Sequence, residues 1–154
     1  MTSSIEQKLA ALGITLPTPN PPLANYVPVV RTGNLLFISG QVSIDAAGKI
    51  ITGKLGGGVD IATGAAAAKL CAINLLAHTK ATIGDLDKLV RVVKVVAFVN
   101  STPDFVDQPK VVNGCSDLLV EVLGDKGRHA RSAVGIAALP FDAAVEVEAV
   151  IEVA

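Results

Sequence analysis

Val90-Arg-Val-Val-Lys-Val-Val-Ala-Phe-Val99 carries apolar side chains at both alternating sets of positions. A strand with one wet face alternates strictly; this pattern predicts a central strand covered above and below. Helical stretches flank it on both sides. Upstream, Asp60 or Thr63 caps a helix that runs to about Ile83 and closes at Gly84. Ala66, Leu70, Ile73 and Ala77 share one face of that helix while Leu75 and Leu76 lie elsewhere, so more than one side wants burial. Downstream, Ser101-Thr-Pro-Asp104 and Asp107-Gln-Pro109 have helix-entry chemistry, because proline is tolerated in a first turn. A second helix then runs to about Leu123 and ends at Gly124.

Further out the chain reads as strands. Tyr26-Val-Pro-Val-Val30 and Leu35-Leu-Phe-Ile-Ser-Gly-Gln-Val-Ser-Ile44 are separated by the turn residues Arg31-Thr-Gly-Asn34, and Asp45-Ala-Ala-Gly48 makes another turn. Arg131 to Ala138 and Ala144 to Val153 are expected to form a closing hairpin through Leu139-Pro-Phe-Asp142. Strands, helix, strand, helix and hairpin make an α+β domain with a mixed sheet. At the start, Ser3 or Ser4 caps a short helix through Leu12, and Gly13 stops it. Leu16-Pro-Thr-Pro-Asn-Pro-Pro22 cannot be regular structure. Residues 1–22 therefore read as an N-terminal helix and Pro-rich lead, and residues 23–154 as the domain proper.

The 154 residues fit one domain. With 51% hydrophobic and 18% charged residues, disorder is excluded. The 13 basic and 14 acidic residues leave a net charge of −1, which argues against a phosphate-backbone binder. Four Phe, one Tyr and no Trp leave little for base stacking. Ala (22) and Val (21) dominate the apolar set, which suits a tight sheet with helices laid closely on it. No apolar run approaches bilayer length, and the N-terminus lacks a signal-peptide layout. Two cysteines, Cys71 and Cys115, make neither a disulfide framework nor a metal-ligand spacing. The expectation is a cytoplasmic protein without metal or organic cofactor, with no nucleic-acid or membrane partner.

One-handed helix crossovers put both long helices on the same face of the sheet. The opposite Val-rich face then meets water, and an apolar patch of that size implies association. A homo-oligomer with its bare sheet faces turned inward is expected.

Among residues that carry chemistry, Arg131 opens an otherwise small and apolar strand. By spacing alone it is an exposed edge residue or the partner of a local acid; its other use is to grip a carboxylate bidentately. In Ala144-Val-Glu-Val-Glu-Ala-Val-Ile-Glu152, period two puts Glu146, Glu148, Val150 and Glu152 on one face. That face is a solvated one, or a carboxylate pair able to raise one pKa for acid/base work. A one-residue slip of the hairpin would put Arg131 and Glu146 on opposite faces. His78 and His129 show no Cys or Asp partner in sequence; Lys69, Lys80 and Lys110 read as solvated helix positions. Gly56-Gly-Gly58 lacks the residues of a phosphate loop, and Cys115 reads as a small core hydrophobe.

Ala130-Arg-Ser-Ala-Val-Gly-Ile-Ala-Ala-Leu-Pro140 followed by Val145-Glu-Val-Glu-Ala149 resembles the signature of the RidA/YjgF reactive-intermediate deaminase family, also called the endoribonuclease L-PSP family. Asn25-Tyr26-Val27, Ile38-Ser-Gly-Gln41, Phe98-Val99 and Val112-Asn113 support it in the family's order, over residues 23–153. The resemblance implies a chorismate-mutase-like α+β fold with two long helices on one face, a homotrimer, and ligand clefts between subunits. It implies that Arg131 holds a substrate carboxylate. Tyr26, Ser39, Asn113 and Glu146 line the cleft, and Glu146 positions or activates water. The family carries a cysteine where this chain has Ala133, so a backbone N–H is retained there and a thiol is not. The implied reaction is hydrolysis of a reactive 2-imino or enamino acid to a 2-keto acid and ammonia. The other function weighed is a non-catalytic trimer that binds a small carboxylate metabolite or a protein partner.

Overall fold

The computed structural model describes residues 2–154. In chain order the elements are α1 (Ser4–Ala11), β1 (Val29–Thr32), β2 (Leu35–Val42), the two-residue strands β3 (Lys54–Leu55) and β4 (Gly58–Val59), and α2 (Ile61–Ile83). Then follow β5 (Leu89–Asn100), α3 (Gln108–Leu123), β6 (Ala130–Ile136) and β7 (Val145–Val153). Five strands form one sheet in the order β1-β2-β7-β5-β6. All neighbours are antiparallel except β5 and β6. This is the mixed-sheet α+β architecture expected.

One expectation is overturned. Residues 131–138 and 144–153 do not form a hairpin, because β5 lies between β6 and β7. The unit β5–α3–β6 is a helix crossover, and such a connection returns the chain parallel to the strand it left. The 139–144 connection then crosses the end of β5. The buried Asn100 pins it there, its Nδ2 donating to Asp142 Oδ1 and to the Ala143 carbonyl, both at 3.2 Å. The crossing is tight enough to force Phe141 and Asp142 into the left-handed region, at φ 59° and 55°.

Both long helices lie on one face of the sheet. Asp60 caps α2 by accepting from the Thr63 amide at 2.7 Å, which decides between the two candidate caps. Ala67, Ala68 and Ala72 are fully buried, and these short side chains let α2 sit close. Closest of all is the crossing of α2 and α3, where a Cβ on Gly114 would collide with the Ala65 backbone carbonyl. Val95, Ala97 and Val99 of β5 and Val145, Val147 and Ile151 of β7 fill the layer beneath the helices. Burying one such Val or Ile side chain fully is worth about 1.5–3 kcal/mol. By length and composition α2 is apolar enough to cross a membrane, contrary to the sequence reading, but half of that stretch is buried within the protein as a core helix.

The other face of β5 is not covered by the chain's own helices. Val96 and Phe98 are half-buried, and Val30, Phe37 and Val134 are exposed on the same side. A groove of about 430 Å³ runs over this face, lined by Val27, Phe37, Ser39, Lys94, Glu148 and Val150 among others. Regular pairing begins at Val29 rather than Tyr26, because Pro28 has no N–H to give a ladder.

The N-terminal helix is joined to the core. Ile5 and Leu9 are buried in the main hydrophobic cluster. Ser3 caps α1 through the Glu6 amide, and Asp87 accepts from the Ser4 and Ile5 amides at 2.8 and 3.2 Å. Lys80, expected to be merely solvated, pairs with Glu6.

Candidate active site

Arg131 pairs with Val95 in the parallel ladder, and Val95 is paired in turn with Ala149. Directly paired residues share a face, so this row points to the helix-covered side. There α3 presents Asn113 and Ser116, three residues apart and hence neighbours on the helix surface. Arg131 Nη1 donates to Asn113 Oδ1 at 2.9 Å and to Ser116 Oγ at 3.2 Å. Both acceptors are neutral, so the guanidinium keeps its full charge. Among the described residues no carboxylate pairs with it, and its Nε and Nη2 have no protein partner. The side chain is therefore held in place with two N–H-bearing nitrogens unspent.

A histidine completes this cluster. His129 Nδ1 lies 2.6 Å from the Gly127 carbonyl, and its Nε2 lies 2.9 Å from Ser116 Oγ. A carbonyl can only accept, so Nδ1 carries the proton and Nε2 of the neutral ring accepts from the Ser116 hydroxyl. Burial pushes the His129 pKa down; the Gly127 carbonyl pulls it up and the Arg131 charge pushes it down again. Neighbouring Cys115 is fully buried, and burial raises its thiol to about 12 against the opposing pull of Arg131. It is an inert core side chain, as its sequence context indicates.

The remaining site candidates fall into two places. Ala133 stands two residues along β6 on the same face as Arg131, packed against the core. Glu146 is paired with Phe98, which is paired with Val134, and this row faces the open side of the sheet. Its carboxylate occupies the space that a Cβ on Gly40 would need. Burial first, and then the Glu148 charge, push the Glu146 carboxyl up from its ordinary value. Ser39 sits in the β2 bulge between Ile38 and Gln41; its amide donates to the Pro28 carbonyl at 2.8 Å and its hydroxyl to the Val27 carbonyl at 3.2 Å. These bonds tie down the segment that carries exposed Tyr26. In the chain Arg131, Asn113 and Ala133 are together, whereas Tyr26, Ser39 and Glu146 lie away from them.

Sequence reasoning left out Ser116 and set His129 aside for want of a Cys or Asp partner in sequence. Ser116 follows Asn113 by three on a helix, and His129 precedes Arg131 by two beside a strand, so each had a periodic signal toward the same point. No group of three or more metal-ligating side chains occurs among the described residues.

The family model described as "YjgF/chorismate_mutase-like, putative endoribonuclease" matches residues 6–153. The chain belongs to the RidA/YjgF family. A curated relative, Protein TCP17 of Trypanosoma cruzi, is 47% identical over 149 residues, covering 96% of this chain and 93% of that protein. The crystal structure of Atu1372, a protein of unknown function from Agrobacterium tumefaciens, is 50% identical at a TM-score of 0.91, covering 98% of this chain and 94% of that one. RidA from an Antarctic Psychrobacter is more distant, at 25% identity and a TM-score of 0.61, with 88% and 94% covered. RidA/YjgF membership accounts for the fold.

Proposed function

We propose that this chain is an enamine/imine deaminase that hydrolyses reactive 2-imino acids to 2-keto acids and ammonia. The observation that carries the reading is Arg131. Its guanidinium is steadied by two neutral acceptors and retains unpaired N–H groups beside a half-open edge strand. Such a group takes a small carboxylate, and bidentate pairing fixes its orientation. A 2-imino acid has its electrophilic C=N carbon next to that carboxylate. Holding it in place removes orientational entropy, worth up to about 7–11 kcal/mol in ideal cases. The near-neutral charge and five aromatics favour such a ligand over RNA.

The site is completed between copies in a homotrimer. One protomer's Glu146 and Ser39 lie on the open face, the other face from Arg131. A neighbouring copy brings its Glu146 carboxylate to the Arg131 edge, where it orients the attacking water. The exposed apolar side chains of the open face support burial against another copy; the number three rests on the family resemblance. The chemistry needs no metal or organic cofactor, and a cytoplasmic location fits a metabolic role.

The test is iminopyruvate hydrolysis, followed with wild-type protein and with Arg131→Ala and Arg131→Lys, alongside light scattering for the mass in solution. Acceleration that the Ala variant loses supports the reading. Wild-type protein that binds 2-ketobutyrate without accelerating hydrolysis is instead a carboxylate-binding trimer, and a micromolar monomer removes the shared cleft.

A further inference from the structure

Ser116 has one hydroxyl proton and two lone pairs. The proton is committed to His129 Nε2, and one lone pair accepts from Arg131 Nη1. The second lone pair remains for a proton arriving from the ligand side of Arg131. His129 is set as the terminus of that path, because the Gly127 carbonyl fixes its Nδ1–H tautomer and leaves Nε2 basic. No other group in contact with this cluster fits the task. Asn113 does not titrate, the Cys115 thiol is buried, and Glu146 of the same protomer is on the opposite face.

We propose that Ser116 and His129 form the proton relay of the Arg131 cleft, with Ser116 meeting the substrate and His129 acting as the positioning residue behind it. The inference rests on the imine-hydrolase reading. Water adds to the C=N carbon and the π pair moves to nitrogen. One water proton passes to Ser116 Oγ as the serine proton passes to His129 Nε2. The imidazolium returns a proton through Ser116 to the nitrogen, giving the carbinolamine. In the second half the carbinolamine hydroxyl proton takes the same route to nitrogen, the C–N bond breaks with its electron pair on nitrogen, and ammonia and the 2-keto acid leave. Glu146 of the neighbouring copy orients the water and does not have to carry these protons.

The charged groups around His129 are few. Arg131 of β6 acts on the ring directly, Arg128 and Asp125 of its own loop pair with each other at 3.3 Å, and Arg91 of β5 reaches the Arg128 carbonyl. Burial and Arg131 keep the ring neutral near pH 7, so it is ready to accept.

The experiment compares wild type, His129→Gln, Ser116→Ala and Ser116→Thr in iminopyruvate hydrolysis across pH, with 2-ketobutyrate binding measured in parallel. A relay predicts that kcat of the Gln and Ala variants falls on the order of 100-fold. Binding of 2-ketobutyrate by His129→Gln stays within about 2-fold, because His129 makes no bond to Arg131 and the Asn113 and Ser116 acceptors remain, whereas a merely structural role lowers both. The Thr variant, which keeps a hydroxyl, recovers much of the loss. The wild-type profile falls on its acid side through a pKa below the ordinary histidine value, and the Gln variant lacks that limb. If the Gln and Ala variants keep wild-type kcat and pH profile while Arg131→Ala is inactive, the relay is wrong and the deaminase reading stands. If wild type does not accelerate the reaction at all, both fall. Nitrogen NMR of the wild-type imidazole is a check that needs no variant: a ring protonated at Nε2 rather than Nδ1 above pH 7 also overturns the relay.

Discussion

Arg131 and Glu146 stand on opposite faces of one sheet, separated by β5, with Arg131 in the Val95–Ala149 row and Glu146 in the Phe98–Val134 row. A side chain cannot reach across a packed sheet, so the two meet only when they belong to different copies. A mixture of Arg131→Ala and Glu146→Gln proteins, each inactive alone, is expected to recover activity when co-refolded. Random assembly leaves about a quarter of the two-subunit sites intact. Rates measured before and after mixing check this, and a mixture as inactive as its components removes the shared site.

Asn113 holds Arg131 without spending its charge. Asn113→Asp keeps the shape and places a carboxylate on the guanidinium. The new pair occupies the N–H groups a ligand needs. Affinity for 2-ketobutyrate is expected to fall at least about 10-fold while thermal stability holds or rises, since a half-exposed ion pair is worth about 0–1 kcal/mol. Calorimetric titration and a melting curve read both outcomes.

Gly114 lies between the two α3 residues that touch Arg131, with its back to the Ala65 carbonyl of α2. Gly114→Ala must push the helices apart, an overpacking cost of about 1–3 kcal/mol. The melting temperature is expected to fall about 2–4 °C for each kcal/mol. Arg131-dependent binding should weaken with it, because the shift carries Asn113 and Ser116.

Asp87 fixes the first turn of α1 through two backbone amides and the Ser4 hydroxyl. These bonds hold its pKa below the ordinary carboxylate value, the Ser4 amide contributing most. Asp87→Ala is expected to free the helix, and limited proteolysis should then cut within the first residues faster than in wild type.

The histidines and Glu146 oppose each other in pH dependence. Burial is the leading cause that holds His78 and His129 below the ordinary value of 6.5. The folded protein binds these protons less readily than the unfolded chain. Their contribution is therefore complete above the unfolded value and lost as pH falls through the folded one. Glu146 is raised, so its ionised form weighs against the folded state, and stability from it grows as pH falls through its raised value. The urea midpoint should be level from about pH 8 to 7 and fall below about 6.5. Glu146→Gln should raise the midpoint at pH 7 and change it little at about pH 4.

Much of this was legible in the chain. Asp60, Gly84, Pro109 and Gly124 mark the helix ends through local backbone chemistry, which is why their bounds agree with the structure. The partner of β6 was not legible, because Leu139-Pro-Phe-Asp142 has the composition of a hairpin turn. What diverts it is Asn100, some forty residues earlier, together with the handedness of the α3 crossover. Doubly apolar Val90–Val99 implied cover on both faces, yet the chain's own helices cover only one, since strand composition does not distinguish a face that is packed from one that is left open. Arg131 was visible as a lone charge in a small-residue strand. The Ser116–His129 contact was not, since its two halves come from different elements and neither residue type is rare at a surface.

The position of β7 also bears on how the protein is made. It comes last in sequence among the five strands of the sheet, yet it lies between β2 and β5 and, among the described residues, provides the ladder that joins them. Until residues 145–153 emerge from the ribosome, the earlier strands remain two fragments with no common edge. Nascent chains stalled before Val145 should therefore stay protease-sensitive in β2 and β5 alike, and the sheet forms in one late event dominated by contacts far apart in sequence.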